Sequence, residues 1–426
     1  MVDVTQKIKQ LYGHTPQGSA GKLHRESQYV WHYTTTHNAC ELSLAMPLRA
    51  ATYNSSQPHP IFSMNLPEGD QFYRLSQRFK KDFAKFDEMA ILSIVGHDQI
   101  GRVRLSQTPG ETRSARAAVG LAQIKKSQPH EKLFDYLAEQ YYDSGISGVQ
   151  PKVMVPDADR AAARDADLIV KTGGAEYPYL SQNEYVCMLA AQKAGIEVPE
   201  FHLSDDGSLY IMRRFDLQAG AAQLGFEDFA VLGDAGYDSQ GHYKYAGSYE
   251  AINKMISSYC GAGNSVVQMQ KFFEYLTLSC LVRNGDAHLK NFGLIYTHPA
   301  DLSSVRLAPL FDVVTTSAYD HEDTRSGRIL SDRTLALKLN KSVAYPTRKE
   351  LIDFGRTACH VAKPEEVIDR ICQAMTEVMH SNKSLFSTAF ASRMAQEWEN
   401  GKMSLQTHTS SVRKAPRPWQ GKPSNL

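Results

Sequence analysis

The sequence predicts an α+β fold, on two observations. Apolar runs of strand length recur before residue 220, among them QYVWHY, DLIVK, FHLS and LYIMRRF. From 346 to 400 the apolar spacing becomes helical, in KELIDFGRTACHVA, EEVIDRICQAMTEVM and SLFSTAFASRMAQEW. At 426 residues the chain can form two or three packed domains. Its segments are expected at 1–110, 120–220 and 221–403, followed over 404–426 by a Ser-, Pro- and Lys/Arg-rich stretch read as a disordered tail.

Composition excludes some classes. There are 47 Lys and Arg against 46 Asp and Glu, so no global field argues for nucleic acid. No run approaches the roughly 18 apolar residues of a membrane helix, and MVDVTQKIKQLYG lacks the apolar core of a signal peptide. The 6 cysteines form no Cys-x-x-Cys pair. They read as reduced thiols of a cytoplasmic protein, with neither disulfides nor zinc.

Taken in order, QYVWHY and ELSLAMPL read as strands, FYRLSQRFKKDF and FDEMAILSIVG as helices, the second ending at Gly96, and QIGRVRLS as a strand. Gln107 to Gly120 reads as a flexible connection. Ser144 to Lys152, SGISGVQPK, is a small-residue loop ahead of the strand VMV. Such a loop lets backbone N–H groups approach phosphates, although it is neither a Walker A nor a GxGxxG sequence, and an ordinary turn is the competing reading. Lys171 closes the strand DLIVK, either as a nucleotide-binding lysine or as a solvated edge residue. A helix follows, capped by Asn183 and ended by Gly195. Its Glu184 is either a surface acid favoured by the helix dipole or the partner of Lys171. IEVPEFHLS and SLYIMRRFD then read as a hairpin about Asp205-Asp206-Gly207. Residues 225–265, rich in Gly and Tyr, read as the loop-containing start of a helical lobe.

The densest chemistry lies in LVRNGDAHLKNFGLI, residues 281–295. Phe272, Phe273, Leu276, Cys280 and Leu281 share roughly one helical face upstream, and FGLIY downstream reads as a strand. Asp286, His288, Lys290 and Asn291 therefore fall on a tight loop between two buried elements. Asp286 and Asn291 are five apart, the separation protein kinases use between a catalytic Asp and a metal-binding Asn. A second metal carboxylate is expected on a nearby strand, and Asp312, in LAPLFDVV, is the candidate, since an unpaired charge in an apolar run is costly. A hydrophilic loop with a hydrogen-bonded Asp is the plainer alternative. The order strand, Lys strand, helix, two strands is that of a kinase N-lobe and hinge. Arg213, Arg214, Phe215 and Asp216 would form that hinge, with Asp216 meeting a ribose hydroxyl.

These residues carry a resemblance. ISGVQPK (146–152), IVK (169–171), NEY–LAA–AGI–VP (183–199), MRRFD (212–216), EDFAVLG (227–233), KY (244–245), GDAHLKNFGLIY (285–296) and LAPLFDVV (307–314) together resemble HipA-type kinases, the toxins of type II toxin–antitoxin modules. GKLHRE, SLAMPL and NLPEG resemble the N-terminal subdomain of that family. The resemblance implies a bilobal, kinase-like fold with a large helical C-lobe, ATP and Mg²⁺ as cofactors, and transfer to a protein Ser or Thr. It implies an aminoacyl-tRNA synthetase as the type of substrate, and a HipB-type helix-turn-helix antitoxin as partner, through which alone DNA is reached. On this chain it makes Asp286 catalytic and Asn291 and Asp312 metal ligands. Lys171 becomes the phosphate-binding lysine, with Ser147, Gly148, Val149, Gln150 and Lys152 in the loop over the nucleotide and Arg213 to Asp216 in the hinge. His288 either contacts phosphate or buttresses the loop, and Lys290 stands beside it. One position departs: where the family carries an autophosphorylated serine, this chain has Gly145, which leaves Ser144 and Ser147 as the loop hydroxyls. A non-catalytic, antitoxin-binding scaffold and a small-molecule kinase are the rival readings.

Overall fold

The computed structural model describes residues 7–111, 116–159, 166–174, 176–217, 223–236, 242–323, 328–331 and 333–405. Part of the expected connection after Gln107 and nearly all of the expected tail lie outside them. The chain divides into two units: Met1–Ser181, Glu200–Tyr237 and Leu294–Val305 form the first, and Gln182–Pro199, Asp238–Gly293 and Arg306–Leu426 the second.

Among the described residues the first unit holds a five-stranded and a four-stranded antiparallel sheet, besides the strands Gly225–Asp228 and Gly293–Tyr296. Strands β1 (Gln10–Thr15), β2 (Gly18–Arg25), β3 (Tyr29–Tyr33), β4 (Thr52–Ser55) and β5 (Arg104–Ser106) lie in the order β4-β3-β2-β1-β5. In β1 every second residue is buried, as a half-buried strand requires. The strand expected at ELSLAMPL does not form. Leu42 N donates to the Tyr33 hydroxyl, which itself donates to Met46 O, and Leu48 N donates to Glu41 Oε1, so side chains satisfy this backbone in a turn. The two expected helices are present as Gly69–Phe79 and Glu88–Val95. Asp87 caps the second, and Gly96 ends it.

The second sheet has the order β6-β7-β9-β8, from β6 (Lys152–Val155), β7 (Leu168–Thr172), β8 (Phe201–Leu203) and β9 (Leu209–Arg213). Val153, Val155, Leu168, Val170, Leu209 and Ile211 point to one face, where they pack with Ile124, Phe134, Leu137 and Tyr141 of two helices. The side-chain period of two therefore puts Lys152 and Lys171 on the opposite face. The segment 225–265, read as the loop-containing start of a helical lobe, opens with a strand, β10 (Gly225–Asp228), which pairs with β11 (Gly293–Tyr296).

The second unit is built on the helix Ser265–Leu281. The residues expected on one face are buried, but so are Tyr275, Thr277, Leu278 and Ser279, because neighbouring helices surround its last two turns. One of these, Thr388–Ser404, packs so closely that a Cβ at Gly401 would lie 1.9 Å from the Leu281 carbonyl oxygen. Only glycine fits there, and the contact fixes where the helix ends and the next loop begins. Helices Arg348–Thr357 and Pro364–Asn382 also appear where expected. The helix Leu180–Lys193 begins earlier than read, so Asn183 is inside it rather than at its cap. Fully buried, its side chain accepts from Thr315 N at 2.9 Å and donates to Thr315 O at 3.1 Å. Glu184 is 0% exposed, which rules out the surface acid. All six cysteines are free thiols, five of them buried. Among the described residues no helix is long and apolar enough to cross a membrane.

Candidate active site

Each unit carries one group of candidate residues. In the first, Lys152 and Lys171 are paired directly across β6 and β7 and are 8% and 3% exposed. Like charges opposite each other in a sheet repel, and burial raises the cost. The Lys171 ammonium lies over the Tyr210 ring, 5.5 Å from its centroid. Gly148, at φ +122°, sits so close to Lys152 that a Cβ would be 2.2 Å from Nζ. The Gly-rich loop thus lies on the Lys152 ammonium, and a side chain at 148 would both displace that flexible group and strain a backbone conformation that favours glycine.

The rest of that loop is held from outside. Ser147 Oγ donates to Glu68 Oε1 at 2.7 Å, Gln71 Nε2 to Ser144 O at 2.6 Å, and Gly145 N to Asp98 O at 2.7 Å. Gln150 Nε2 reaches Thr172 O at 3.3 Å, and Val149 is 65% exposed. Ser144 is fully buried and donates to Tyr141 O, which removes it from the accessible loop hydroxyls.

The expected hinge residues have other partners. Arg213 bridges Asp157, Asp167 and Glu200 at 2.8–3.0 Å. Arg214 is 2% exposed and donates to both oxygens of Asp216, at 3.0 and 2.6 Å, while Gly101 N donates to Asp216 Oδ2 at 2.7 Å. Both Asp216 oxygens are thus taken by protein donors at 1% exposure, an arrangement that gives the expected ribose contact no support. Phe215 packs edge-on against Phe226.

The second unit carries the acid loop. It leaves the helix at Leu281, passes Arg283 in the left-handed region at φ 59°, and enters a 3-10 turn at Leu289–Asn291. Its own polar groups shape it. Asn284 Oδ1 accepts from Asp286 N at 3.0 Å, and Asp286 O accepts from His288 N at 2.8 Å and Asn291 Nδ2 at 2.6 Å. The five-residue spacing is therefore a direct bond from the Asn291 amide to the Asp286 backbone. The Asp286 side chain is 49% exposed, and its Oδ1 accepts from the Tyr245 hydroxyl at 2.7 Å.

His288 is buried, with Nε2 3.8 Å from Asp286 Oδ1 and its ring edge-on to Tyr245. Burial pulls its pKa down to about 4; the Asp286 and Asp312 carboxylates oppose that shift, and the Lys244 and Lys290 ammoniums add to it. Neutral at pH 7, it is suited to buttressing. Those four charged groups therefore converge on one imidazole. Lys290 Nζ donates to the Tyr243 hydroxyl at 3.3 Å. Asp312 is not on a strand as expected. It lies in irregular chain, partly exposed, at φ 60°, a strained conformation for a residue with a Cβ.

The carboxylate of Asp312 and the Oδ1 of Asn291, whose amide nitrogen is already committed, are donors of the kind a hard divalent cation takes. Tyr243, Lys244, Tyr245 and Asn284 were not singled out as site residues from sequence. The run HYKY ahead of a helix was the signal for the first three, and Asn284 lies in the acid-loop run 281–295 itself. Glu68 fell within the quoted run NLPEG without a role assigned to it, and Gln71 had no signal.

Fold and site together define a kinase-like α+β protein. Residues 144–382 match the family described as HipA-like C-terminal domain, and residues 14–106 match the HipA N-terminal domain. The chain belongs to the HipA family. Among its relatives, "Putative kinase Y4dM" of Sinorhizobium fredii is 27% identical over 70% of this chain and 72% of its own length. A "Putative kinase" of Haemophilus influenzae is 29% identical over 41% of this chain and 53% of its own. The HipA of Shewanella oneidensis, solved with HipB and operator DNA, shares the fold with a TM-score of 0.65 and 17% identity, over 92% of this chain and 96% of that one.

Proposed function

We propose that this chain is an ATP-dependent serine/threonine protein kinase acting as a HipA-type toxin in the cytoplasm. The acid loop carries the reading: the Tyr245 hydroxyl holds Oδ1 of Asp286, so that Oδ2, at a half-exposed carboxylate, is left to take the proton of an attacking hydroxyl. Asn291 and Asp312 would hold Mg²⁺, and Mg²⁺–ATP supplies the transferable phosphoryl group. Lys152, Lys171 and the loop from Ser147 to Gln150 bind phosphate by charge and by close backbone approach. His288, neutral, braces Asp286, and Lys290 adds positive charge nearby.

By analogy with the Shewanella protein, the partner is a HipB-type helix-turn-helix antitoxin, with DNA reached only through it. The substrate class is a protein hydroxyl, of the aminoacyl-tRNA synthetase type. The test is transfer of radiolabelled phosphate from ATP by the purified chain, with and without a synthetase panel, for wild type and Asp286→Asn. Transfer by wild type alone supports the proposal. A wild-type chain that binds its antitoxin yet transfers nothing would replace it with a non-catalytic scaffold.

A further inference from the structure

A cavity of about 510 Å³ in the second unit is lined by Arg283, Arg333, Glu397, Asn400, Met403 and Ser404. That is the size of a small-ligand site, and of its lining Arg283 alone, at the start of the acid loop, belongs to the groups described above. Arg283 sets its character. Its Nη2 donates to Asn400 O at 2.8 Å, its guanidinium lies over the Tyr345 ring at 4.3 Å, and its Nε is buried without a hydrogen-bond partner. No carboxylate of the described residues forms an ion pair with it. Burial lowers its pKa, and Arg333 adds to that shift.

Arg333, 61% exposed at its side chain, reaches Glu397 Oε1 at 3.3 Å, and the Glu397 side chain is only 6% exposed. The one carboxylate of the lining pairs with Arg333, so the Arg283 charge has no counter-ion among the lining residues. A partly buried cation left so is costly. Guanidinium is also the group best matched to a tetrahedral oxyanion, through its planar fork of donors.

We propose that this cavity is an anion site that takes the phosphate group of a small molecule, held by Arg283 and Arg333. Arg283 also connects it to the acid loop, since Thr316 Oγ1 accepts from Gly285 N at 2.7 Å and donates to Arg283 O at 3.2 Å. The proposal does not depend on the kinase reading.

The test is calorimetric titration of the full chain with inorganic pyrophosphate, for wild type, Arg333→Ala, Glu397→Gln and Lys171→Ala. Loss of one charge-assisted donor at exposed Arg333 should weaken binding by about tenfold. Glu397→Gln, which removes the competing carboxylate, should tighten it, a gain that misfolding cannot mimic. Lys171→Ala removes only the separate phosphate site proposed over β6 and β7, so the binding component that Arg333→Ala weakens should persist in it. No binding to wild type, equal binding by the Arg333 and Glu397 variants, or loss in Lys171→Ala alone would each overturn the proposal, the last by assigning the anion to the lysine pair.

Discussion

The Gly-rich loop and the acid loop are both short runs of small and polar residues between apolar elements, and they are held in opposite ways. The Gly-rich loop owes its shape to residues distant in sequence: Glu68 on Ser147, Gln71 on the Ser144 carbonyl, Asp98 on the Gly145 amide. The acid loop is shaped mostly from within, by Asn284 on the Asp286 amide and Asn291 on the Asp286 carbonyl. Local bonds make a geometry that survives in any context where the flanking helix and strand form. Distant ones make a loop whose position depends on the N-terminal domain. The acid loop should therefore fail by chemistry and the Gly-rich loop by position.

The largest effect should come from Asp286→Asn. The amide keeps the shape and the Tyr245 contact but cannot take a proton, so phosphoryl transfer should drop by on the order of 10²-fold or more. Nucleotide affinity and the unfolding midpoint should stay near wild type. Transfer at the wild-type rate would remove Asp286 from the chemistry.

One buried group in each unit titrates in the opposite direction to the other. Glu227 of the first unit is buried, and that burial pushes its pKa up to about 7 against the hydrogen bonds of Ser43, Tyr296 and Leu44. The folded state then holds a proton that the unfolded state has lost between about pH 4.5 and 7. Stability from this group falls as pH rises through that window, by on the order of 3 kcal/mol. For His288 the folded pKa is about 4 against 6.5, so the folded state binds fewer protons and stability rises with pH between those values. Urea midpoints from pH 4 to 8 should show Glu227→Gln losing the falling component while keeping the rising one. If Glu227→Gln and wild type follow the same pH curve, Glu227 is ionised throughout.

A smaller effect concerns strain in the acid-loop unit. Asp312→Gly and Asp312→Ala both remove the carboxylate, and both should weaken Mg²⁺-dependent nucleotide binding by on the order of tenfold or more. The φ of 60° separates them. Glycine adopts it freely, so Asp312→Gly should be the more stable of the two by about 1 kcal/mol. Equal stability with unchanged Mg²⁺ dependence would make Asp312 an ordinary loop acid.

Smallest should be Ser147→Ala or Glu68→Gln, which loosen the Gly-rich loop without touching the acid loop. One partly exposed hydrogen bond to a carboxylate is worth on the order of 1 kcal/mol, so nucleotide affinity should weaken about fivefold while turnover at saturation is preserved. A fall in kcat with unchanged affinity would reverse the assignment of position to this loop and chemistry to the other.

The sequence by itself determined the α+β class, the strand–Lys–strand order, the three C-terminal helices and the acid loop. Each of these rests on local periodicity or on residues within five positions of one another, such as Asp286 and Asn291. Gly96, Gly148 and Gly195 were readable for the same reason, since a turn's needs are met by its own residues. Tertiary structure alone decided the rest. It sent Asn183 to grip Thr315 instead of capping its helix, and it closed Asp216 with Arg214 and the Gly101 amide. It also turned ELSLAMPL from strand to turn, because Tyr33 and Glu41 supplied the backbone's partners. In each case a side chain's role followed from which distant group reached it first, and that depends on packing across more than a hundred residues for Asn183 and Asp216, information that no local pattern carries.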